Sequence, residues 1–168
     1  MAIPQSRISA ASERYRVRAK SLNEAQQARM KTAFLCHSHL DERLARGMAT
    51  LLDESGWNVY IDWLDASMPD TPNRATAAKL QQRIVTTNYF LFLATDNSMK
   101  SRWCPWEIGY ADGKKSIDTI MIIPTSDGNR VWHGSEYLQL YSSLDYSDSD
   151  VLAVWEPGKS SGTQLRYR

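Results

Sequence analysis

Hydrophobic and polar positions along this chain follow two periods, and the switches between them mark the elements. The run TAFLC (residues 32–36) is apolar and too short for a helix. The polar turn HSHLD separates it from ERLARGMATLLDES (residues 42–55), where Leu44, Met48, Leu51 and Leu52 recur at helical spacing. That predicts strand, loop, helix. Gly56 stops the helix, and WNVYID (residues 57–62) alternates into a second strand with Trp57, Val59 and Ile61 on one face. WLDASMPDTPN (residues 63–73) has two prolines and no period, so it reads as a long loop, and its Asn73 can cap the helix RATAAKLQQRIVTT. YFLFLAT (residues 89–95) is the most apolar strand, buried on both faces if the sheet is parallel. DNSMKSRWCPWEIGYADGKK (residues 96–115) supplies a loop and a helix, and TIMIIPT a fourth strand stopped by Pro124.

The ends are patterned less clearly. SDGNRVWHGSEY reads as a loop, LQLYSSL as a short edge strand, SDSDVLAVWEP as a last helix starting near Asp148, and residues 157–168 as a flexible tail. Residues 10–30 are rich in Ala, Arg, Glu and Gln without Gly or Pro, a helix placed before the main fold that is either solvated or docked on a partner. The expected organisation is a leader over 1–30, one domain over 31–156 and a tail over 157–168. Strands alternating with helices mean an α/β fold with a central parallel sheet of about five strands and right-handed crossovers. Ligands of such sheets sit outside the carboxyl ends of the strands. Residues 36–39, 62–65, 95–98 and 125–127 should therefore share one rim.

Composition narrows the function. With 168 residues and 42% hydrophobic positions, one domain is expected. The net charge of +1 hides a basic leader, +5 over residues 1–31, against a body of −4 that does not suit nucleic acid. Cys36 and Cys104 lack C-x-x-C spacing, and no apolar run approaches the roughly 18 residues of a membrane span. A cytoplasmic protein that touches neither membrane nor nucleic acid is expected. There is no G-x-G-x-x-G, no G-x-x-x-x-G-K-[ST] and no G-x-S-x-G, which speaks against a dehydrogenase, a P-loop nucleotidase and an α/β-hydrolase. His37 and His39 could in principle meet a metal with Asp41 or Asp62, but with three histidines in the chain no metal is expected.

The stretch SRWCPWEIGYA (residues 101–111) follows the third strand. Trp103 and Glu107 are four apart and share a helix face, with Pro105 tolerated in the first turn. One reading makes Trp103 and Trp106 core aromatics and Glu107 a surface acid; the other makes Trp103 and Glu107 the wall of a site, with Trp106 and Cys104 as packing residues. The helix N-terminus favours an ionised Glu107, whereas flanking indoles desolvate it.

Taken together, AFLCHSHLDERLARGMATLLDESGWNVYID, the Pro-containing loop after it and YFLFLATDNSMKSRWCPWEIGYA resemble the Toll/interleukin-1 receptor (TIR) domain, bacterial ones in particular. The first strand and turn match that family's F-I-S-H-x-S-x-D-like box, residues 63–73 its BB loop, and SRWCPWE its S-x-W-C-x-x-E signature; the similarity spans about residues 31–155. The resemblance implies a flavodoxin-like fold and an enzyme that cleaves the nicotinamide–ribose bond of NAD+ as a substrate, with no separate cofactor. It places Glu107 at the family's essential glutamate and Trp103 in its W-x-x-x-E pattern. Weaker candidates for contact with substrate are Ser38 and His37 after the first strand, and Asp62 with Trp63 on the opposite wall. A free-standing chain of this kind looks like the enzyme of Thoeris-type anti-phage systems, which makes a cyclic ADP-ribose-type signal for a separate effector. Two alternatives stand beside it: a non-catalytic adaptor acting by TIR–TIR self-association, and a nucleoside deoxyribosyltransferase-like enzyme. Cys36 stands where the family often has serine.

Overall fold

The strand Tyr89–Ala94 dictates much of the architecture, because Phe90, Leu91, Phe92, Leu93 and Ala94 keep no exposed surface. A strand without a polar face has to be covered on both sides. The computed structural model describes residues 2–15, 24, 28–62, 73–128 and 136–168, and the backbone of 132–133. In chain order its strands are β1 (Ile3–Pro4), β2 (Lys31–Cys36), β3 (Trp57–Tyr60), β4 (Tyr89–Ala94), β5 (Ile120–Ser126), β6 (Trp132–His133), β7 (Ser142–Tyr146), β8 (Leu152–Trp155) and β9 (Thr163–Gln164). The helices among these residues are α1 (Gln5–Ser12), α2 (Glu42–Glu54), α3 (Arg74–Thr86), α4 (Asp96–Lys100) and α5 (Cys104–Asp112).

The sheet runs β3-β2-β4-β5-β7-β8-β9. β3, β2, β4, β5 and β7 are mutually parallel, in the second-first-third-fourth-fifth order of flavodoxin-like sheets. β8 and β9 extend it antiparallel. The two-residue alternation of the central strands sorts the core into two layers. Leu35, Leu91, Leu93, Met121 and Ile123 face α1 and α2, where Leu44, Met48, Leu51 and Leu52 form the apolar stripe that the sequence predicts. Phe34, Cys36, Phe90, Phe92 and Ile122 face α3 and α5, which contribute Leu80, Ile84, Ile108 and Ala111. Each large apolar side chain so buried stabilises the fold by about 1.5–3 kcal/mol. Asn73 caps α3, as its position suggests, with its side chain accepting from the Ala75 and Thr76 amides and its own amide donating to Thr76 Oγ1.

The ends of the chain depart from the sequence expectation. The helix near the N-terminus occupies Gln5–Ser12 instead of starting at residue 10, and it is packed, not solvated: Ile3 and Ile8 are fully buried. β1 lies parallel to the end of β5, with Ile3 opposite Thr125, and Gln5 donates to Thr125 Oγ1 at 3.1 Å. The expected helix over residues 16–23 and 25–27, like the BB loop over 63–72, lies outside the described residues. VLAVW is a strand and not a helix, because the turn before it, with Asp150 at φ 60°, reverses the chain so that Leu152–Trp155 pairs with Ser143–Tyr146. An apolar run this short carries no period that separates strand from helix. Strand pairing of LQLYSSL is confined to its end and continues into Ser142–Tyr146, an interior strand between β5 and β8, because Glu136–Leu140 forms a 3₁₀ turn first. The supposedly flexible tail is anchored: Thr163–Gln164 pairs with β8, and Leu165 is buried in the α1/α2 layer.

α1 crosses α2 at Gly47, where an added Cβ would stand 1.9 Å from the Ile8 carbonyl oxygen. Gly47→Ala is therefore expected to destabilise the protein by about 1–3 kcal/mol, since backbone cannot move aside as a side-chain tip can. Chemical denaturation of the two proteins measures it, and an unchanged midpoint would refute the close approach.

Candidate active site

In a sheet of this order the crevice for ligands opens between the carboxyl ends of β2 and β4, where the strand order reverses. Here that position is occupied by the protein's own hydrogen bonds. Asp41, buried in the turn after β2, accepts from the hydroxyl of Thr95 and, at 2.7 Å, from Asn97 Nδ2 in the turn after β4. Thr95 also caps α4 reciprocally with Ser98. Thr125, at the end of β5, donates to the Ala94 carbonyl and is buried. Of the expected rim, residues 95–98 and Thr125 thus serve structure.

The remaining candidates gather on the α3/α5 face, beside the end of β2. Ser101 Oγ accepts from the Trp103 and Cys104 amides at 3.2 and 3.3 Å and so starts α5, with Pro105 in its first turn. The Glu107 amide donates to the Trp103 carbonyl at 2.8 Å. Glu107 is only 5% exposed, not the surface acid of the alternative reading. Burial pushes its carboxyl up to about 7, and the Asp62 charge adds to this, while a hydrogen bond with the Cys36 thiol opposes it. Burial outweighs the helix terminus. Cys36 is the last residue of β2; its thiol, raised well above the ordinary range by burial, also donates to the Cys104 carbonyl oxygen at 3.9 Å. Sequence reasoning placed Cys36 on the rim, at the carboxyl end of a strand, without naming it as a site residue; its contact with α5 is what the fold adds.

His37 directs Nδ1 at the Leu35 carbonyl, 2.8 Å away, and Nε2 at Asp62 Oδ1, 3.5 Å away. Burial lowers its pKa, and the Asp62 charge works the other way. Asp62 thus touches His37 and acts electrostatically on Glu107, so three acid–base groups share one field. Ser38 Oγ accepts from the Leu40 amide at 3.3 Å and caps a 3₁₀ turn. Trp63 lies outside the described residues. Trp103 meets Trp106 edge-on at 5.4 Å, and Trp106 stacks on Tyr110 at 5.9 Å. Trp106, expected to be a packing residue like the buried Cys104, is instead 36% exposed. Among the described residues no three His, Cys, Asp or Glu side chains converge as metal ligands, and Asp41 is committed to Thr95 and Asn97.

A family model for the TIR domain matches residues 33–153, which include the whole of this cluster. The chain belongs to the TIR-domain family. Its TIR region is similar to two curated proteins. One, from Bacillus cereus (strain MSX-D12), bears the name "Probable 3' cyclic ADP-D-ribose synthase ThsB'"; the two are 36% identical over 64% of this chain and 57% of the relative. The other, from Cytobacillus dafuensis, is provisionally named as the cyclic ADP-D-ribose synthase TIR2, with 25% identity over 62% of this chain and 28% of the relative. The chain therefore spans little more than half of the first relative's length and under a third of the second's.

A carboxyl whose folded pKa is raised binds a proton that the unfolded chain has already released. Its contribution is lost as pH rises from the unfolded value near 4.5 to about 7. Glu107→Gln removes the buried charge. Thermal unfolding should show the variant more stable than the parent at pH 8, by on the order of 3 kcal/mol at most, and nearly equal at pH 4.5. A variant less stable at pH 8 would refute the buried carboxylate.

Proposed function

We propose that this TIR protein cleaves the nicotinamide–ribose bond of NAD+ and closes the remainder into a cyclic ADP-ribose-type signal for a separate effector in anti-phage defence. The observation that carries this reading is Glu107: a carboxylate buried in the first turn of α5, between Cys36 and the field of Asp62, four residues after Trp103. The names of the two similar proteins support the reaction class.

The chemistry suits a single acid. Nicotinamide in NAD+ is cationic; when the C–N bond breaks, the electron pair leaves with the ring and the leaving group is neutral, so no acid has to protonate it, unlike ordinary glycoside hydrolysis. The charge left on the ribose is an oxocarbenium ion. Glu107 holds the ribose hydroxyls and stabilises that charge, and low polarity around it strengthens the attraction. Trp103 supplies a ring face against the substrate, and His37 with Asp62 forms the far wall. Water capturing the cation would give linear ADP-ribose. A nucleophile of the same molecule gives a ring, with its proton passing to a nearby base, and exclusion of water favours this outcome. Among the described residues no helix is long and apolar enough to cross a membrane.

Mass spectrometry of NAD+ incubated with purified protein, alone and with lysate of phage-infected cells, tests the proposal. Glu107→Gln should lower turnover at least about 100-fold, and equal turnover by both proteins would sink it. Because the ionised carboxylate is the working form, activity should climb with pH and reach half its maximum near pH 7. Cys36→Ala removes the hydrogen bond that favours ionisation, so the midpoint of that profile should move to higher pH. A shift to lower pH would contradict the assigned role.

A further inference from the structure

The two faces of the sheet are covered unequally. Beyond α5, on the face that holds Glu107, the chain after β5 turns through the 3₁₀ segment Glu136–Leu140, and no described helix lies over β7 and β8. A cavity of about 500 Å³ opens there, within the roughly 300–1,000 Å³ of small-molecule sites. Its floor crosses three adjacent strands: Ile122 and Pro124 of β5, Ser143 and Asp145 of β7, and Trp155 of β8. None of Cys36, His37, Asp62, Trp103 and Glu107 lines it, so it is separate from the cluster described above.

Its lining is mixed, with Ser143 and Trp155 on the floor and Glu156, Lys159 and Ser160 toward the rim among its polar groups. The indole Nε1–H of Trp155 is buried and has no hydrogen-bond partner among the described residues. Buried donors of that kind are rare in a folded protein unless something else accepts from them. The ring is held in place, because an added Cβ at Gly162 would stand 2.9 Å from its carbons. Ser143 faces Trp155 directly across the strand pair, and Asp145 is one step further on the same face. Asp145 is committed within the protein, accepting from the Tyr146 amide at 2.7 Å, so the hydroxyl of Ser143 is the acceptor beside the indole. One donor beside an acceptor, between the apolar walls of Ile122, Pro124 and Leu138, complements a planar ring that bears an acceptor next to an amino group. Lys159 and Ser160 stand at the exposed rim and add an ammonium and a hydroxyl suited to a phosphate. Tyr141, another lining residue, donates to Asp112 at the end of α5 at 2.9 Å, tying the cavity wall to the helix that carries Glu107.

The geometry points to a non-catalytic nucleotide site in this cavity, taking an aminopurine mononucleotide with Trp155 Nε1 donating to the ring, Ser143 accepting from the amino group, and Lys159 on the phosphate. This does not depend on the NAD+ reading. The test is titration of the full chain with adenosine monophosphate, following the ¹⁵N-labelled indole N–H resonance of Trp155, identified by its absence in Trp155→Phe. The site requires that this resonance shifts and that affinity falls about tenfold or more in Trp155→Phe and in Lys159→Ala. Glu107→Gln should bind as the parent does. Inosine monophosphate, which presents a carbonyl where adenine has its amino group, should bind at least about tenfold more weakly. An unmoved indole resonance, inosine binding as tight as adenosine, or loss of binding in Glu107→Gln would each overturn the proposal. If Trp155→Phe fails to fold, the indole shift in the parent and the exposed Lys159→Ala variant decide it.

Discussion

The carboxylate of Asp41 sets the arrangement of the site end of this molecule. It accepts from Thr95 and Asn97, and so joins the turn after β2 to the turn after β4 across the place where strand order reverses. Two consequences follow for the site. The crevice that a doubly wound sheet ordinarily offers its ligands is taken up by protein groups, and the turn carrying His37 and Ser38 is held against the body of the fold. The candidate chemistry is thereby moved sideways, onto the face covered by α5, where Cys36 and Glu107 meet.

Glu107 shows how that displacement trades stability against reactivity. An ionised carboxylate taken out of water is costly, and the single thiol hydrogen bond from Cys36 offsets only part of the cost. The same desolvation strengthens the field that the carboxylate exerts on a positive charge brought next to it. A residue that weakens the fold at neutral pH thus stands where the proposed reaction would develop positive charge.

Much of the fold was legible in the sequence, for identifiable reasons. The stripe Leu44, Met48, Leu51 and Leu52 and the continuous apolar run of β4 are long enough to carry a period, and both elements stand where the pattern puts them. Glu107 and Trp103 could be singled out as candidates from their place after a strand together with the resemblance to the W-x-x-x-E pattern of TIR domains, their spacing alone being equally that of a core helix. What was not legible depended on long-range pairing. VLAVW is too short for its period to distinguish strand from helix, and Ile3, Ile8 and Leu165 look unremarkable until β5 and β8 are there to receive β1 and β9. The role of Asp41 was hidden for the same reason: its partners are more than fifty positions away, and nothing local distinguishes it from the carboxylates around it.

The sheet's two margins carry a further consequence. Among the described residues one ends in the four-residue β3 and the other in the two-residue β9. Strands this short offer another chain few backbone groups to pair with, so adding strands edge to edge is a poor route to assembly for this protein. Exposed apolar groups such as Leu40 and the Trp106–Tyr110 stack lie on side-chain surfaces and leave the backbone uncommitted. A surface of that kind can be altered one residue at a time, whereas a strand margin presents its backbone whatever its side chains are.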